Sequence, residues 1–308
     1  GVTDFMQETQ ADGMPVVYAS NDDGQPWIAM ASGGSYTGEL VIPSTVVEIF
    51  DGAFSNLQGA YTLSWAPSAD TAWIDSEAFR GSGLAGDISV GTSDKSLVIG
   101  DRAFMDCPGI DSFTATAYKL TIGDHVFSSC DSLTSLTLSN MIGGSLGTEP
   151  LNGSDACADI YFTGQTPPTL TLMSQGLGHR FNYSWEPDEE AQKLHLHVPE
   201  GSEQAFIEQW VYPLVGYYNE YFAAVQYEIL SETWEMPSET EVRERMAENL
   251  LEPENRLRQE MGLEPVDAST IIKKNVIEDS DGNKFTVSDD VSLTLTSVTP
   301  WAGFDSEE

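Results

Sequence analysis

Positive charge is scarce in this chain: 13 Lys and Arg stand against 49 Asp and Glu in 308 residues, a formal net charge of -36. No basic residue precedes Arg80, although Asp4, Glu8, Asp12, Glu39, Asp51 and Asp75 all do. Phosphate backbones and anionic membrane surfaces are attracted by clustered Lys and Arg, so nucleic acid is not an expected partner. Long apolar runs are missing as well. Nothing approaches the ~20 apolar residues that cross a bilayer, and no membrane span is expected. Cysteine is limited to Cys107, Cys130 and Cys157. An odd trio without CxxC spacing implies neither a complete disulfide framework nor a metal knuckle. The N-terminus lacks a charged segment followed by an apolar one, so a secretion signal is expected to be absent from this sequence.

What is present suffices for a core. At 40% hydrophobic and 10% aromatic residues the chain is not disordered throughout. A prior of ~150 residues per domain suggests about two domains.

Internal periodicity organises the first two thirds. Phe54, Phe79, Phe104 and Phe127 lie 25, 25 and 23 residues apart, each preceded by Ala or Val, and each has Ile five positions earlier: Ile49, Ile74, Ile99 and Ile122. Cys107 and Cys130 follow the last two Phe residues by three. Between these anchors the apolar residues alternate, as in Leu136 and Leu138 or Ile88 and Val90, which predicts one short strand and one tight apolar turn per unit. No unit can bury its own apolar face. Stacking at about 4.8 Å in parallel register turns the Ile, Phe and Leu positions into continuous ladders inside a solenoid. Gly100 and Gly123 are expected to permit the backbone turn after each anchor, with Asp101 and Asp124 as turn-favouring neighbours.

The string from Leu97 to Cys107, repeated from Ile122 to Cys130 with Val126 in place of Ala, resembles the BspA-like leucine-rich repeat: an apolar anchor, Gly, two variable residues, Ala, Phe, two variable residues, Cys. The units at Phe54 and Phe79 depart from it, having Leu57 and Ser82 at the Cys position. Leu194 to Ser202, followed by Ala205, Phe206 and Trp210, resembles the family's closing strand and terminal helix, so the resemblance covers roughly residues 39 to 212. It implies a mainly β fold with short helices, a leucine-rich-repeat solenoid. Residues 1–38, with Val16 to Tyr18 and Trp27 to Met30 flanking an Asn-Asp-Asp-Gly turn, are expected to form an N-terminal β-hairpin cap, since an open solenoid end exposes strand edges. Residues 39–216 then form the solenoid with its terminal helix. Residues 217–308 form a C-terminal segment of helix plus strands, with a capping box at Ser238 and Glu241 and an apolar stripe through Val242, Met246 and Leu250.

Candidate chemistry is sparse. Gly81, Gly83 and Gly86 spell GxGxxG, but Asp87 to Val90 continues as a strand where a dinucleotide site needs a helix. His195 and His197 share one face of an alternating strand, the outer one, because Leu194, Leu196 and Val198 point inward. Zinc takes three or four protein ligands, and His179 and Glu200 are the obvious recruits, so an exposed strand face is expected and no metal site is assigned. Asp279, Asp281, Asn283 and Asp290 mimic a calcium loop, but Lys284 stands where the loop requires Gly. Cys107 and Cys130 fit as small apolar fillers of a coil corner. Trp210, Tyr212, Tyr217, Tyr218, Tyr221 and Phe222 are expected to pack the terminal helix. Adjacent acids such as Glu189 and Glu190 do not face each other across a sugar.

No catalytic, cofactor-binding or metal residue is assigned, and no cofactor is expected. The family resemblance implies a bacterial secreted or cell-surface protein of the adhesion type, not an enzyme, that presents its repeat face to an extracellular protein or glycan. An extracellular hydrolase, sited in residues 217–308, or a passive envelope spacer are the alternatives. The binding residues are unknown at this level, because the repeat motif is a core motif.

Overall fold

The structure is a computed structural model that describes residues 2–9, 15–21, 27–31, 35–171, 177, 194–211, 227–238 and shorter stretches within 241–265 and 277–285. Three antiparallel strands begin the chain: β1 (Val2–Thr9), β2 (Pro15–Asn21) and β3 (Trp27–Ala31). β3 then pairs in parallel with β5, after β4 (Ser35–Val41) and before the rest of the stack: β5 (Val46–Ile49), β6 (Gln58–Trp65), β7 (Thr71–Ile74), β8 (Ala85–Ile99) and β9 (Gly109–Ile122). β10 (Ser135–Asn140), β11 (Gly144–Leu146), β12 (Asp159–Phe162), β13 (Thr169–Leu170), β14 (Leu194–His197) and β15 (Tyr227–Leu230) continue it. β16 (Ile277–Glu278) and β17 (Lys284–Phe285) pair antiparallel with each other.

Each regular coil has two strand sides and a turn side, one strand more than the spacing suggests. β8 and β9 run without interruption around the corner between the two sides, each pairing in parallel with the coil before and after it. Along one side Ile49, Ile74, Ile99, Ile122, Leu146 and Leu170 are successive register partners. Along the other, Ile88, Phe113, Leu136, Ile160, Leu196 and Ile229 form the matching inner ladder. All twelve are buried.

The turn side carries the Phe row. Phe54, Phe79, Phe104 and Phe127 are fully buried and stack nearly parallel, with centroids 5.0, 5.2 and 5.7 Å apart. Phe113 meets Phe104 and Phe127 edge-on at 4.8 and 4.7 Å, the geometry favoured by the ring quadrupole. The turns also bond to each other: the amides of Phe54, Phe79 and Phe104 donate to the carbonyls of Ala78, Ala103 and Val126 in the next coil. A fifth turn follows, unseen in the Phe spacing because Leu151 takes the ring's place; there Phe127 N donates to Pro150 O.

Two expectations about the turns change. Neither Gly100 nor Gly123 adopts a left-handed φ; a Cβ on Gly100 would instead lie 2.6 Å from Ser76 N and 2.8 Å from Asp75 C. Gly is needed there because adjacent coils approach closely. The left-handed positions are occupied largely by other residues, among them Glu77, Arg102 and His125 before the Ala or Val, and Asn56, Asp106 and Ser129 two places after Phe. Asp101 and Asp124 do more than favour a turn. Asp101 Oδ1 accepts from Asp124 N at 2.9 Å, and Asp124 Oδ1 from Thr148 N at 2.6 Å, so each carboxylate ties its coil to the next.

The Cys position is likewise a bonding position. Cys107 Sγ donates to Phe79 O at 3.0 Å and Cys130 Sγ to Phe104 O at 3.1 Å, and Ser154, three residues past Leu151, donates its hydroxyl to Phe127 O. None of the three cysteines forms a disulfide.

The last coils close against α1 (Glu203–Phe206), which continues over Ile207–Val211 in wider π-type turns. Trp210 is buried against Phe162 and Phe206, and its indole donates to Pro168 O at 2.7 Å, as the packing role requires. The other aromatics of that run lie outside the described residues. Beyond β15, Ser238 and Glu241 exchange bonds as a capping box: Ser238 N donates to Glu241 Oε2 at 2.9 Å and Glu241 N to Ser238 Oγ at 3.4 Å.

Phe104 lies inside the row, with rings on both sides. Phe104→Ala is expected to cost about 3–5 kcal/mol by leaving a cavity that flanking coils cannot close, read as the shift in urea midpoint at unchanged slope.

Candidate functional site

Inward residues of the second strand side are the core, so their outward neighbours are what the solenoid offers to solvent. The strand registers place these in rows, about 4.8 Å apart from strand to strand. One row runs Ser64, Ser89, Thr114, Thr137, Tyr161, His197. Beside it runs Gly91, Thr116, Ser139. Neither carries a formally charged side chain, in a protein of net charge -36. On the other flank a third row runs Asp87, Ser112, Ser135, Asp159, His195, Glu228. Within it Ser112 Oγ donates to Asp87 Oδ1 at 2.6 Å.

Strand alternation explains why hydroxyls collect there. β10 alternates between half-buried Ser135, Thr137 and Ser139 and buried Leu136, Leu138 and Asn140. β-branched Thr suits a pleated surface, and Ser and Thr hydroxyls leave donors and acceptors facing solvent. Tyr161 ends the middle of the face, exposed, with its ring stacked on that of His197 at 4.2 Å.

The histidine end holds the face's densest polar group. His197 Nε2 donates to Asp159 Oδ1 at 2.7 Å, and His195 Nδ1 approaches the same oxygen at 3.2 Å. Glu228 Oε2 lies 3.7 Å from His195 Nε2. Burial works against the charged form of Asp159, but the bonds from His197 and His195 outweigh it and hold the carboxyl below its usual value. The partners are therefore not the ones sequence proximity suggests. Glu200 accepts from Thr233 Oγ1 at 2.8 Å, and His179 lies outside the described residues. Asp159 precedes His195 by 36 residues, a longer interval than the regular coils, so only the strand register identifies it.

Residues 34–148 match the family model described as BspA type leucine rich repeat region, in six copies. That stretch is a BspA-type leucine-rich repeat region. Stacking in this BspA-type region does not stop at residue 148, because β12, β14 and β15 extend the same parallel sheet. No curated protein and no solved structure matches the chain. BspA-type repeats are generally surface-associated, and leucine-rich-repeat solenoids typically serve as protein-binding scaffolds without catalytic function.

Two further candidates from the sequence fall among the described residues. Gly81, Gly83 and Gly86 lead into β8, with no helix at the position where a pyrophosphate would bind. Burial pushes the Cys107 thiol up to about 11 and raises that of Cys130, the opposite of an activated nucleophile. Asp279, Asp281, Asn283 and Asp290 lie outside the described residues, as do Glu189 and Glu190. Among the described residues no helix is long and apolar enough to cross a membrane.

Among the described residues Glu48 and Asp75 form an acid pair. Burial pushes the Glu48 carboxyl up to about 7, helped by a hydrogen bond with Asp75 and by that residue's charge. Carboxylates in hydrogen-bond contact are closer than the ~5 Å that lets a glycosidase pair flank a sugar. Their effect is on stability. A carboxyl raised on folding favours the fold while it is neutral in both states, below its ordinary 4.5, and that contribution is lost as pH rises through 7. Glu48→Gln should therefore stabilise the protein at pH 8 by about 1 kcal/mol after solvent screening, and change little at pH 4, measured as the difference in thermal midpoint from the unsubstituted chain.

Proposed function

We propose that this chain is a secreted or cell-surface adhesion protein, without catalytic activity, whose solenoid presents its outer strand face to an extracellular ligand. The observation that carries the proposal is the pair of uncharged rows, Ser64 to His197 and Gly91 to Ser139, on an otherwise acidic molecule. A flat surface of regularly spaced hydroxyls suits a neutral polar partner that exchanges hydrogen bonds along its length, and a glycan fits this better than a charged protein surface. Tyr161, next to last in the row, adds an exposed aromatic for stacking. In this reading residues 1–38 cap the solenoid and 39–216 bind, while 217–308 add β15 to the stack and otherwise serve to retain or display it.

Screening the chain against glycans and extracellular-matrix proteins at near-physiological salt should give saturable binding to a neutral glycan. Substitution of Thr114 and Thr137 together by Arg should abolish it without lowering the thermal midpoint, since both side chains are half-exposed. Raising salt to ~0.5 M should change the affinity less than about twofold, because no ion pairs form. Retained binding in the Arg variant would move the site elsewhere. Silence across the array would favour a passive spacer, and turnover of a polysaccharide a hydrolase.

A further inference from the structure

One end of the binding face holds a group with chemistry of its own. Asp159 on β12 and His195 and His197 on β14 each offer a ligand atom, and these atoms all lie within 4.8 Å of one another. We propose that they form a binding site for a late first-row divalent cation of the zinc class.

Asp159 is the register partner of His195, and His197 is two places along the same strand, so both rings lean over one carboxylate oxygen, at 3.2 and 2.7 Å. Zinc bonds of about 2.0–2.1 Å to N and O in a tetrahedral site put ligand atoms about 3.3 Å apart. Both ring nitrogens already lie within about 0.6 Å of that separation from Asp159 Oδ1 and within 4.8 Å of each other, so rotation of the two rings closes the triangle on an ion. In the metal-free protein the rings donate protons to Asp159; a cation replaces those protons and binds the freed nitrogens.

A surrounding shell supports the three ligands. Glu228 Oε2 lies 3.7 Å from the far nitrogen of His195, placed to hold the ring proton on Nε2 once Nδ1 takes the ion. Tyr161 stacked on His197 fixes the plane of that ring. All of these groups stand on paired parallel strands, so the site is rigid before it binds.

The side chains of Asp159, His195 and His197 are 31–32% exposed, open enough for an ion to enter. The negative field of the protein draws cations toward it. Two imidazoles with one carboxylate favour zinc-class ions over calcium or magnesium, which prefer oxygen alone. Three protein ligands leave a fourth position for water, facing solvent.

The test uses the full chain, stripped with chelator and titrated calorimetrically with zinc chloride, with calcium chloride in parallel. One equivalent of zinc should bind, and the His195→Gln/His197→Gln variant should lose at least about 100-fold in affinity. Glu228→Gln, which removes only the group positioning His195, should lose about tenfold, and His125→Gln, in a separate surface pair, nothing. Cobalt added to the unsubstituted chain should give the visible bands of a four-coordinate nitrogen and oxygen site, a readout that does not depend on any variant folding. Absence of saturable zinc binding overturns the proposal. So does equal zinc binding by the double variant, or calcium binding there as tightly as zinc. Because metal alone is the probe, failure here is separate from failure of the glycan screen.

Discussion

The close approach of one coil's backbone to the next is the constraint on which everything else in this protein depends. At about 4.8 Å per coil, any position repeated in sequence is repeated in space, so each residue is judged by its neighbours above and below. Gly100 is Gly because Ser76 N and Asp75 C leave no room for a Cβ. Cys107, Cys130 and Ser154 differ in identity but share a role, each being a small donor to the carbonyl of the preceding coil. Left-handed Glu77, Arg102 and His125 each carry a conformational cost of about 1–2 kcal/mol, which only the fixed path of the stacked turns sustains.

The same constraint makes the exterior regular. A parallel in-register stack converts the alternation within each strand into rows across strands, and the inner rows of Ile, Leu and Phe oblige the outer rows to be continuous as well. Acidic residues are then sorted by place. Asp101 and Asp124 bind the turns together, Lys95 pairs with Asp70 at 3.0 Å on a neighbouring coil, and the central rows of the strand face keep hydroxyls. The low content of Lys and Arg, which at first only argued against polyanionic partners, thus accompanies an uncharged strip on the described strand face of an acidic chain.

Legibility in the sequence followed the same logic. The Phe row could be read because one residue type recurs in one register, and the outward placement of His195 and His197 because strands have a period of two. Leu151 escaped notice because the coil geometry constrains volume and burial, not chemical identity. The partnership of Asp159 with the histidines escaped for another reason: 36 residues separate Asp159 from His195, so counting from the regular repeat lands elsewhere. The second strand of each coil was also hidden, because β8 and β9 pass round a corner in strands of 15 and 14 residues whose polar middle reads as a loop. Strand β1 gave no signal strong enough to separate it from the polar run around it.

Hydrogen exchange at single-amide resolution tests the stacking most directly. Amides in solvent-facing turns ordinarily exchange fast, but here those of Phe54, Phe79, Phe104 and Phe127 donate to the adjacent coil from within the core. The account predicts that these four are among the slowest in the chain and lose protection together as denaturant is raised. Rapid exchange at these turns, or protection that ends separately at each, would contradict a continuous stack.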